Sequence, residues 1–272
     1  MKTAIAVSTP DARFSALALK DGFERSVAKV TELGFDGVEL AIRDPGAVDI
    51  PALERVLKAT GLPVPAIGTG QAFGTDGLSF SSPDIKIRKA ALERVKSHID
   101  LAAKLGSKVI IGLVHGGHTA GIPYDVTLSW VKDAMASLAG YAEGMGVELV
   151  LEPINRYETD LINTVDDALA FLDSVGAPNI SLLVDTFHMN IEEASIEGSI
   201  RRAKGRIGHV HVADSNRWAP GLGHIDFQPV LDALIEIGYN GFLSAEILPM
   251  PTSEEALLAT ARWMERVKGK EV

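Results

Sequence analysis

Short apolar segments alternate with longer segments of helical spacing along the whole chain. The apolar segments are five or six residues long, are rich in Val, Ile and Leu, and each is followed by a polar loop. Such runs are typical of strands that are buried on both faces of a parallel sheet. The pattern occurs eight times and predicts the strands Ala4–Ser8, Gly37–Ile42, Val64–Gly68, Val109–Leu113, Val147–Glu152, Ile180–Asp185, Gly208–Ala213 and Phe242–Glu246.

The segments between these strands carry apolar residues in steps of three and four, the spacing of one face of a helix. One such stripe runs through Leu92, Val95 and Ile99. Several segments end at a glycine, as at Gly106 and Gly176, where a residue in the left-handed conformation can end a helix. The alternation therefore predicts helices that pack against a parallel sheet.

Eight strand and helix units in 272 residues favour a closed barrel over an open sheet. A (β/α)8 barrel typically takes about 250 residues in one piece. An open sheet that binds a dinucleotide would show a G-x-G-x-x-G turn after its first strand, whereas this chain reads Ser8-Thr9-Pro10-Asp11 there. The predicted fold class is α/β, as a single (β/α)8 TIM-barrel domain over residues 1–272.

The composition of the chain limits which catalytic groups, metal ligands and partners it can have. The chain has no cysteine, which excludes a disulfide scaffold, a thiol nucleophile and a thiolate zinc site, so a metal would need oxygen and imidazole ligands. Lys and Arg total 26 against 36 Asp and Glu, and the net charge of −10 disfavours nucleic acid and anionic membranes as partners. The apolar run from Ala4 to Val7 is too short for a signal peptide or a membrane span, so we expect a cytoplasmic protein.

Polar residues occur where four consecutive predicted strands end. They are Glu152, Asp185, His211 and Glu246, one on each strand from the fifth to the eighth. The carboxyl ends of barrel strands meet at one rim, so we expect these side chains to converge there. Taken singly, each has an ordinary alternative: a carboxylate can cap a helix or form a salt bridge, and a histidine can be a hydrogen-bonded part of the barrel interior.

Three carboxylates side by side would repel one another unless a cation neutralises them. Three oxygen donors and one imidazole suit a divalent ion, with Mn²⁺ the leading choice and Mg²⁺ or Co²⁺ next. An octahedral ion with four protein ligands keeps two positions for substrate oxygens. The predicted cofactor is therefore one divalent metal ion.

The loops behind these strands supply further hydrogen-bonding groups to the same rim. They are Asn155-Arg156-Tyr157-Glu158, Phe187-His188-Met189-Asn190 and Asp214-Ser215-Asn216-Arg217-Trp218. A lining of charged and amide groups with an aromatic wall suits a polyhydroxylated ligand. The predicted partner is therefore a small-molecule sugar or sugar acid.

Four strings along the chain resemble one known enzyme family. They are Leu151-Glu-Pro-Ile-Asn-Arg-Tyr-Glu158, Val184-Asp-Thr-Phe-His-Met-Asn-Ile-Glu-Glu193, His209-Val-His-Val-Ala-Asp-Ser-Asn-Arg217 and Ser244-Ala-Glu246. They are similar to the ketose 3-epimerases, which include D-tagatose and D-psicose 3-epimerases. The segments 66–72 and 215–221 resemble a 5-keto-L-gluconate epimerase branch, which acts on keto-hexuronate-type acids.

The resemblance implies roles for individual residues. Glu152, Asp185, His211 and Glu246 would hold the metal, and Glu152 and Glu246 would also act as acid and base. Glu158, His188 and Arg217 would contact the substrate. The resemblance also implies a homo-oligomer, either a dimer or a tetramer.

The chain departs from the ketohexose epimerases after the fourth strand, where it reads Val114-His-Gly-Gly-His118 instead of carrying an aromatic residue. A sugar acid would need a cation for its carboxylate. The candidates are Arg43, His115, His118 and Arg156.

We therefore expect a metal-dependent epimerase that inverts C3 of a ketose or keto sugar acid through a cis-enediolate. A 5-keto-L-gluconate or D-tagaturonate type of substrate is favoured, and a ketohexose such as D-tagatose or D-psicose is next. An aldose–ketose or inosose isomerase could use the same metal site. A metal-dependent apurinic endonuclease is disfavoured by the negative charge, and a non-catalytic sugar-binding protein would have no reason to keep the full ligand set.

Overall fold

A computed structural model describes residues 1–268 of the chain. Its centre is a closed barrel of eight parallel strands arranged in chain order, and the first strand pairs with the eighth. The predicted (β/α)8 barrel is thereby confirmed. The strands are β1 (Lys2–Ser8), β2 (Gly37–Ala41), β3 (Ala66–Gly68), β4 (Lys108–Ile111), β5 (Leu149–Leu151), β6 (Ile180–Asp185), β7 (Ile207–Val212) and β8 (Phe242–Ala245).

The helices of the described residues cover the outside of the barrel and its upper rim. Two short 3-10 turns, Pro45–Ala47 and Leu113–His115, follow β2 and β4. The α-helices are α1 (Phe23–Glu32), α2 (Ile50–Thr60), α3 (Gly70–Asp76), α4 (Ile85–Leu105), α5 (Tyr124–Glu143), α6 (Val165–Val175), α7 (Thr186–Glu192), α8 (Ile196–Arg202), α9 (Phe227–Glu236) and α10 (Ser253–Lys268).

Local signals explain where several helices begin and end. The side chain of Asp84 accepts a hydrogen bond at the start of α4, and Thr164 and Asp167 form a reciprocal capping box at the start of α6. Both helices end at a glycine in the left-handed conformation, Gly106 and Gly176. The predicted glycine helix ends are confirmed at these two positions.

The strand prediction is correct in number and order, and the sixth strand has the predicted bounds. The third strand starts at Ala66 rather than Val64 because Pro65 has no N–H to donate to a neighbouring strand. The fifth and eighth strands end one residue early, so Glu152 and Glu246 lie just beyond β5 and β8. Strands of a barrel are staggered, and their last residues lose a partner on one side.

Alternate strand residues point into the barrel, and the others pack under the helices. Four inward residues, Ala66, Ile110, Val150 and Leu183, form a small buried cluster separate from the main core. Two residues beyond Val150, the next inward position belongs to Glu152. The apolar cluster thus forms a floor below the polar residues at the carboxyl ends of the strands.

No helix among residues 1–268 combines the length and the apolar character that a bilayer crossing requires.

Candidate active site

The four predicted metal ligands converge at the carboxyl end of the barrel. Glu152 and Glu246 directly follow β5 and β8, Asp185 ends β6, and His211 lies in β7. One ligand atom from each of the four lies within 4.8 Å of the others. All four side chains are at most 15% exposed. The structure therefore brings together residues from four different strands at one point.

Three of the converging atoms have no hydrogen-bond partner: Oε1 of Glu152, Oδ2 of Asp185 and Nδ1 of His211. The imidazole nitrogen lies 3.6 Å from that oxygen of Glu152 and 3.9 Å from that of Asp185. Buried polar atoms are normally hydrogen-bonded, and leaving one unpaired costs about 1–3 kcal/mol. Two carboxylate oxygens and an imidazole nitrogen facing one another are donors suited to a divalent cation such as Mn²⁺.

Burial raises the pKa of all three acidic residues of the cluster, Glu152, Asp185 and Glu246. For Asp185 the pKa rises to about 6, and the neighbouring Glu152 charge contributes to the rise. Burial alone would lower the pKa of His211, but the carboxylates of Glu39 and Glu152 outweigh it and hold that pKa well above its ordinary value. Without a cation the cluster is therefore costly to ionise, because its negative charges are close together and shielded from water.

Two of the predicted substrate-binding residues, Glu158 and His188, are joined through Asn155. Its Nδ2 lies 2.9 Å from Oε1 of Glu158 and 2.7 Å from Nδ1 of His188. Burial lowers the pKa of His188 well below its ordinary value, so the ring is neutral. Because Nδ1 accepts a hydrogen bond from the amide, the ring proton is on Nε2, which lies 3.9 Å from both Glu152 and Asp185.

Arg217, the third predicted substrate-binding residue, bridges two carboxylates. Its Nη2 donates to Oε2 of Glu246 at 2.7 Å and its Nη1 donates to Oε1 of Glu158 at 3.2 Å. The guanidinium also lies over the rings of Phe14 and Phe187, at 5.1 and 4.8 Å from the ring centroids. Arg217 has a backbone φ of 61°, which is uncommon for a residue other than glycine. This backbone conformation sets the direction in which the Arg217 side chain extends from the loop.

The cluster opens into a pocket with an empty volume of about 510 Å³. Glu158, His188 and Arg217 line it from the loops after β5, β6 and β7, and Phe14 and Gln71 line it as well. This volume includes space that is open to solvent at the mouth of the pocket. The aromatic group in the lining is Phe14, from the first loop, whereas Trp218 is absent from the lining.

Gly112, directly after β4, makes room for the carboxylate of Glu152 in the candidate metal site. A Cβ at this position would lie 2.6 Å from Oε2 of Glu152, closer than carbon and oxygen can approach. The main chain of Glu152 also donates to the carbonyl of Ile111 at 3.0 Å, which keeps the carboxylate against this part of β4. Glycine here is therefore needed for the observed position of the Glu152 side chain.

Sequence reasoning missed Glu39 on β2, which lies in the barrel interior and is 1% exposed. Its carboxylate contacts Nε2 of both His209 and His211, at 2.7 and 3.0 Å. Burial would raise the pKa of Glu39, but these histidines outweigh it and lower the pKa. A glutamate at an inward position of an otherwise apolar strand was the available signal. Gln71, which lines the pocket from α3, had no comparable sequence signal.

The structure does not bring the four carboxylate-binding candidates into the pocket lining. Arg43 donates to Asp76, and Arg156, which is exposed, donates to Glu192. His115 and His118 contact the backbone carbonyls of Gly116 and Ile122. Within residues 1–268, Arg217 is the only arginine or lysine in the lining. Each of the four is oriented by a nearby partner outside the pocket, and a role in binding a substrate carboxylate stays a prediction for them.

Comparisons with known proteins agree with the barrel fold. Residues 27–267 match the family model of the xylose isomerase-like TIM barrel. The chain is 37% identical over 253 residues to an L-ribulose 3-epimerase of Mesorhizobium japonicum, covering 92% of this chain and 84% of that protein. A solved structure of L-ribulose 3-epimerase is 32% identical with a TM-score of 0.83, covering 98% of this chain and 96% of that one. A D-allulose 3-epimerase from Methylomonas sp., solved in complex with D-allulose, is 27% identical with a TM-score of 0.82 and covers 98% of each chain.

Proposed function

The chain belongs to the xylose isomerase-like TIM barrel family and, within it, to the ketose 3-epimerases. On that premise we propose that it inverts C3 of an open-chain ketose or keto sugar acid in a reaction that depends on a divalent metal ion. The observation that carries the proposal is the cluster of Glu152, Asp185, His211 and Glu246, with three unpaired buried polar atoms, in a pocket that Glu158, His188 and Arg217 also line. A non-catalytic binding protein would gain nothing from a cluster so costly to ionise.

We assign the metal to these four residues, with Mn²⁺ favoured and Mg²⁺ or Co²⁺ as alternatives. When bound, a divalent cation supplies a Lewis acid that polarises the substrate carbonyl and lowers the cost of negative charge on the substrate. The orphaned atoms of Glu152, Asp185 and His211 support this assignment, because a cation would satisfy all three at once.

The chain's own residues perform the proton transfers. Epimerisation at C3 needs one group that removes the C3 proton and a second that returns a proton to the opposite face of the planar enediolate. Glu152 and Glu246 follow strands that are three apart in the barrel, and burial raises the pKa of both, as is useful for groups that must accept and donate a proton near neutral pH. Each takes the other's part when the reaction runs in reverse.

The neighbouring side chains hold the substrate in place. His188 donates from Nε2 and Arg217 donates from its guanidinium, so both suit carbonyl and hydroxyl oxygens at the reacting end. Glu158, oriented by Asn155 and Arg217, accepts from a hydroxyl group. The floor of Ile110 and the ring of Phe14 exclude water from the reacting carbons.

The resemblance of segments 66–72 and 215–221 to the 5-keto-L-gluconate branch favours a keto sugar acid of the 5-keto-L-gluconate or D-tagaturonate type. One observation favours a neutral ketohexose such as D-tagatose or D-psicose as the second candidate. Among residues 1–268, the only arginine or lysine of the lining is Arg217, which already bonds two carboxylates, Glu158 and Glu246. A substrate carboxylate would have to compete with them.

An NMR assay in D₂O with Mn²⁺ tests the proposal over a panel of ketohexoses, L-ribulose and keto sugar acids. The expected result is the C3 epimer carrying deuterium at C3, and the substrate with the highest kcat/KM identifies the sugar class. Deuterium at C1 or C2 together with an aldose product would instead establish an aldose–ketose isomerase. Full activity in the presence of a chelator that strips the metal would refute the metal-dependent mechanism.

Assembly as a dimer or tetramer and a cytoplasmic location stay predictions from the sequence. Light scattering of the purified protein measures the mass of the assembly. The net charge of −10 supports a small-molecule partner over nucleic acid, as expected from composition.

A further inference from the structure

A chain of three buried side chains lies directly behind the candidate metal site. Glu39 on β2 faces His209 and His211 on β7, across the barrel interior. The three residues are each about 1% exposed, so water does not compete for their hydrogen bonds. None of the three is a proposed acid or base residue, and only His211 belongs to the proposed metal-ligand set.

Both oxygens of the Glu39 carboxylate are engaged. Oε2 lies 2.7 Å from Nε2 of His209, and the two oxygens lie 3.0 and 3.1 Å from Nε2 of His211. An ionised carboxylate can accept hydrogen bonds but cannot donate them, so both imidazoles must present an N–H at Nε2. The rings are 5.4 Å apart and nearly perpendicular, which lets both edges reach the same carboxylate.

This arrangement decides which nitrogen of His211 is available to a metal. With Nε2 donating to Glu39, the lone pair that can bind a cation is on Nδ1. Nδ1 is the atom that faces Glu152 and Asp185 and has no hydrogen-bond partner. Outer partners of this kind orient a metal-binding histidine and raise its basicity.

We propose that Glu39 is a positioning residue that directs Nδ1 of His211 toward the metal, and that His209 holds the Glu39 carboxylate in the orientation this requires. The inference rests on the proposed metal site and adds to it two residues from outside the ligand set. Glu39 borders the pocket, but the two histidines engage both of its oxygens, so we assign it no direct bond to the metal or the substrate. Its effect passes through the imidazole ring of His211.

Isothermal titration of the metal-free protein with Mn²⁺ tests the proposal without any turnover. Loss of an outer hydrogen-bond partner typically weakens metal binding by about 10- to 100-fold, and we expect Glu39→Gln to fall in this range. The matched control is Glu148→Gln, which removes a carboxylate that pairs with Lys108 at the opposite end of the barrel. The control should bind Mn²⁺ as the wild type does.

A second measurement separates positioning from a change in net charge. His209→Leu leaves the charge of Glu39 in place but removes one of its donors, whereas His209→Gln keeps an N–H donor. We expect weaker Mn²⁺ binding by His209→Leu and partial recovery by His209→Gln.

A third measurement observes the hydrogen bond itself. In the Co²⁺-loaded protein, the Nε2 proton of His211 should give a hyperfine-shifted, solvent-exchangeable proton resonance. This signal should move or broaden in Glu39→Gln but not in Glu148→Gln.

Two results would overturn the proposal: unchanged Mn²⁺ affinity in folded Glu39→Gln, or equal affinities for the two His209 variants. If Glu39→Gln does not fold, the His209 pair alone decides. Wild-type protein that binds no divalent metal would instead count against the proposed function, so the two failures are distinguishable.

Discussion

Arg217 and Glu246 form a charged hydrogen bond of 2.7 Å between Nη2 and Oε2 at the pocket wall. The pair joins a predicted substrate-binding residue to a predicted acid or base. Because the guanidinium is 10% exposed and also contacts Glu158, it is held in one orientation before substrate binds. The contact thereby restricts the Glu246 carboxylate as well, since one of its oxygens is occupied.

Replacing Arg217 by Ala should raise KM by about tenfold or more, because a charged hydrogen bond to substrate and the orientation of Glu246 are lost together. Arg217→Lys should recover little, since an ammonium group cannot donate to two carboxylates in a fork. Steady-state kinetics on the best substrate measure the effect. Arg156→Ala is the control: this exposed arginine of the neighbouring loop bonds Glu192 and is absent from the pocket lining. An unchanged KM in Arg217→Ala would make the residue structural.

Glu246→Gln should lower kcat by about 100- to 10,000-fold, the range that general acid and base groups supply. The fold should survive, because burial already raises the pKa of Glu246 and the amide has nearly the same volume. Atomic absorption of the purified variant shows whether the loss comes from proton transfer or from reduced metal content. Near-normal turnover in this variant would remove Glu246 from the mechanism.

Saturating Mn²⁺ should raise the melting temperature of the metal-free protein. Binding at 100 times Kd adds about 2.7 kcal/mol, which corresponds to roughly 5–10 °C for a chain of this size. Differential scanning fluorimetry measures the shift, and EDTA should reverse it. Asp185→Asn should abolish it because the ligand charge is lost. A shift of equal size in Asp185→Asn would mean that Mn²⁺ binds elsewhere.

The stability of the metal-free protein should fall as pH rises from about 4 to 6. Burial raises the pKa of Asp185 from 3.8 to about 6, so in this window the folded protein retains a proton that the unfolded chain has released. The stabilisation is complete at the acid end and is lost as the pH passes 6. Melting temperatures in EDTA between pH 4 and 7 measure the trend. The difference between wild type and Asp185→Asn isolates this group, and parallel curves for the two proteins would contradict the assignment.

Gly112→Ala should weaken Mn²⁺ binding and lower kcat together. Its Cβ would lie 2.6 Å from Oε2 of Glu152, so the carboxylate must move away from the other ligands. Gly68→Ala is the matched control, because a Cβ on this neighbouring strand would lie at least 3.7 Å from any atom, an ordinary contact. Titration calorimetry with Mn²⁺ compares the two variants. Equal Mn²⁺ affinities would show that Glu152 tolerates displacement.

The sequence by itself determined the barrel and the metal-ligand candidates, because both follow from local periodicity. Eight apolar runs separated by helical stripes specify strands and helices in order, and parity along one strand says which residues face inward. Glu152, Asp185 and Glu246 were predicted in this way, since the carboxyl ends of barrel strands share one rim. The strand ends were less well predicted because the stagger of neighbouring strands sets them.

Only the tertiary structure decided which side chains meet across the barrel. Glu39 and His209 are 170 positions apart, and no local pattern links them, yet they form a buried 2.7 Å contact. Arg43 and Arg156 are of the residue type that would suit a sugar acid, but Asp76 and Glu192 orient them elsewhere. Periodicity gives the direction of a side chain from its own strand, whereas its partner depends on how all eight strands close into a ring.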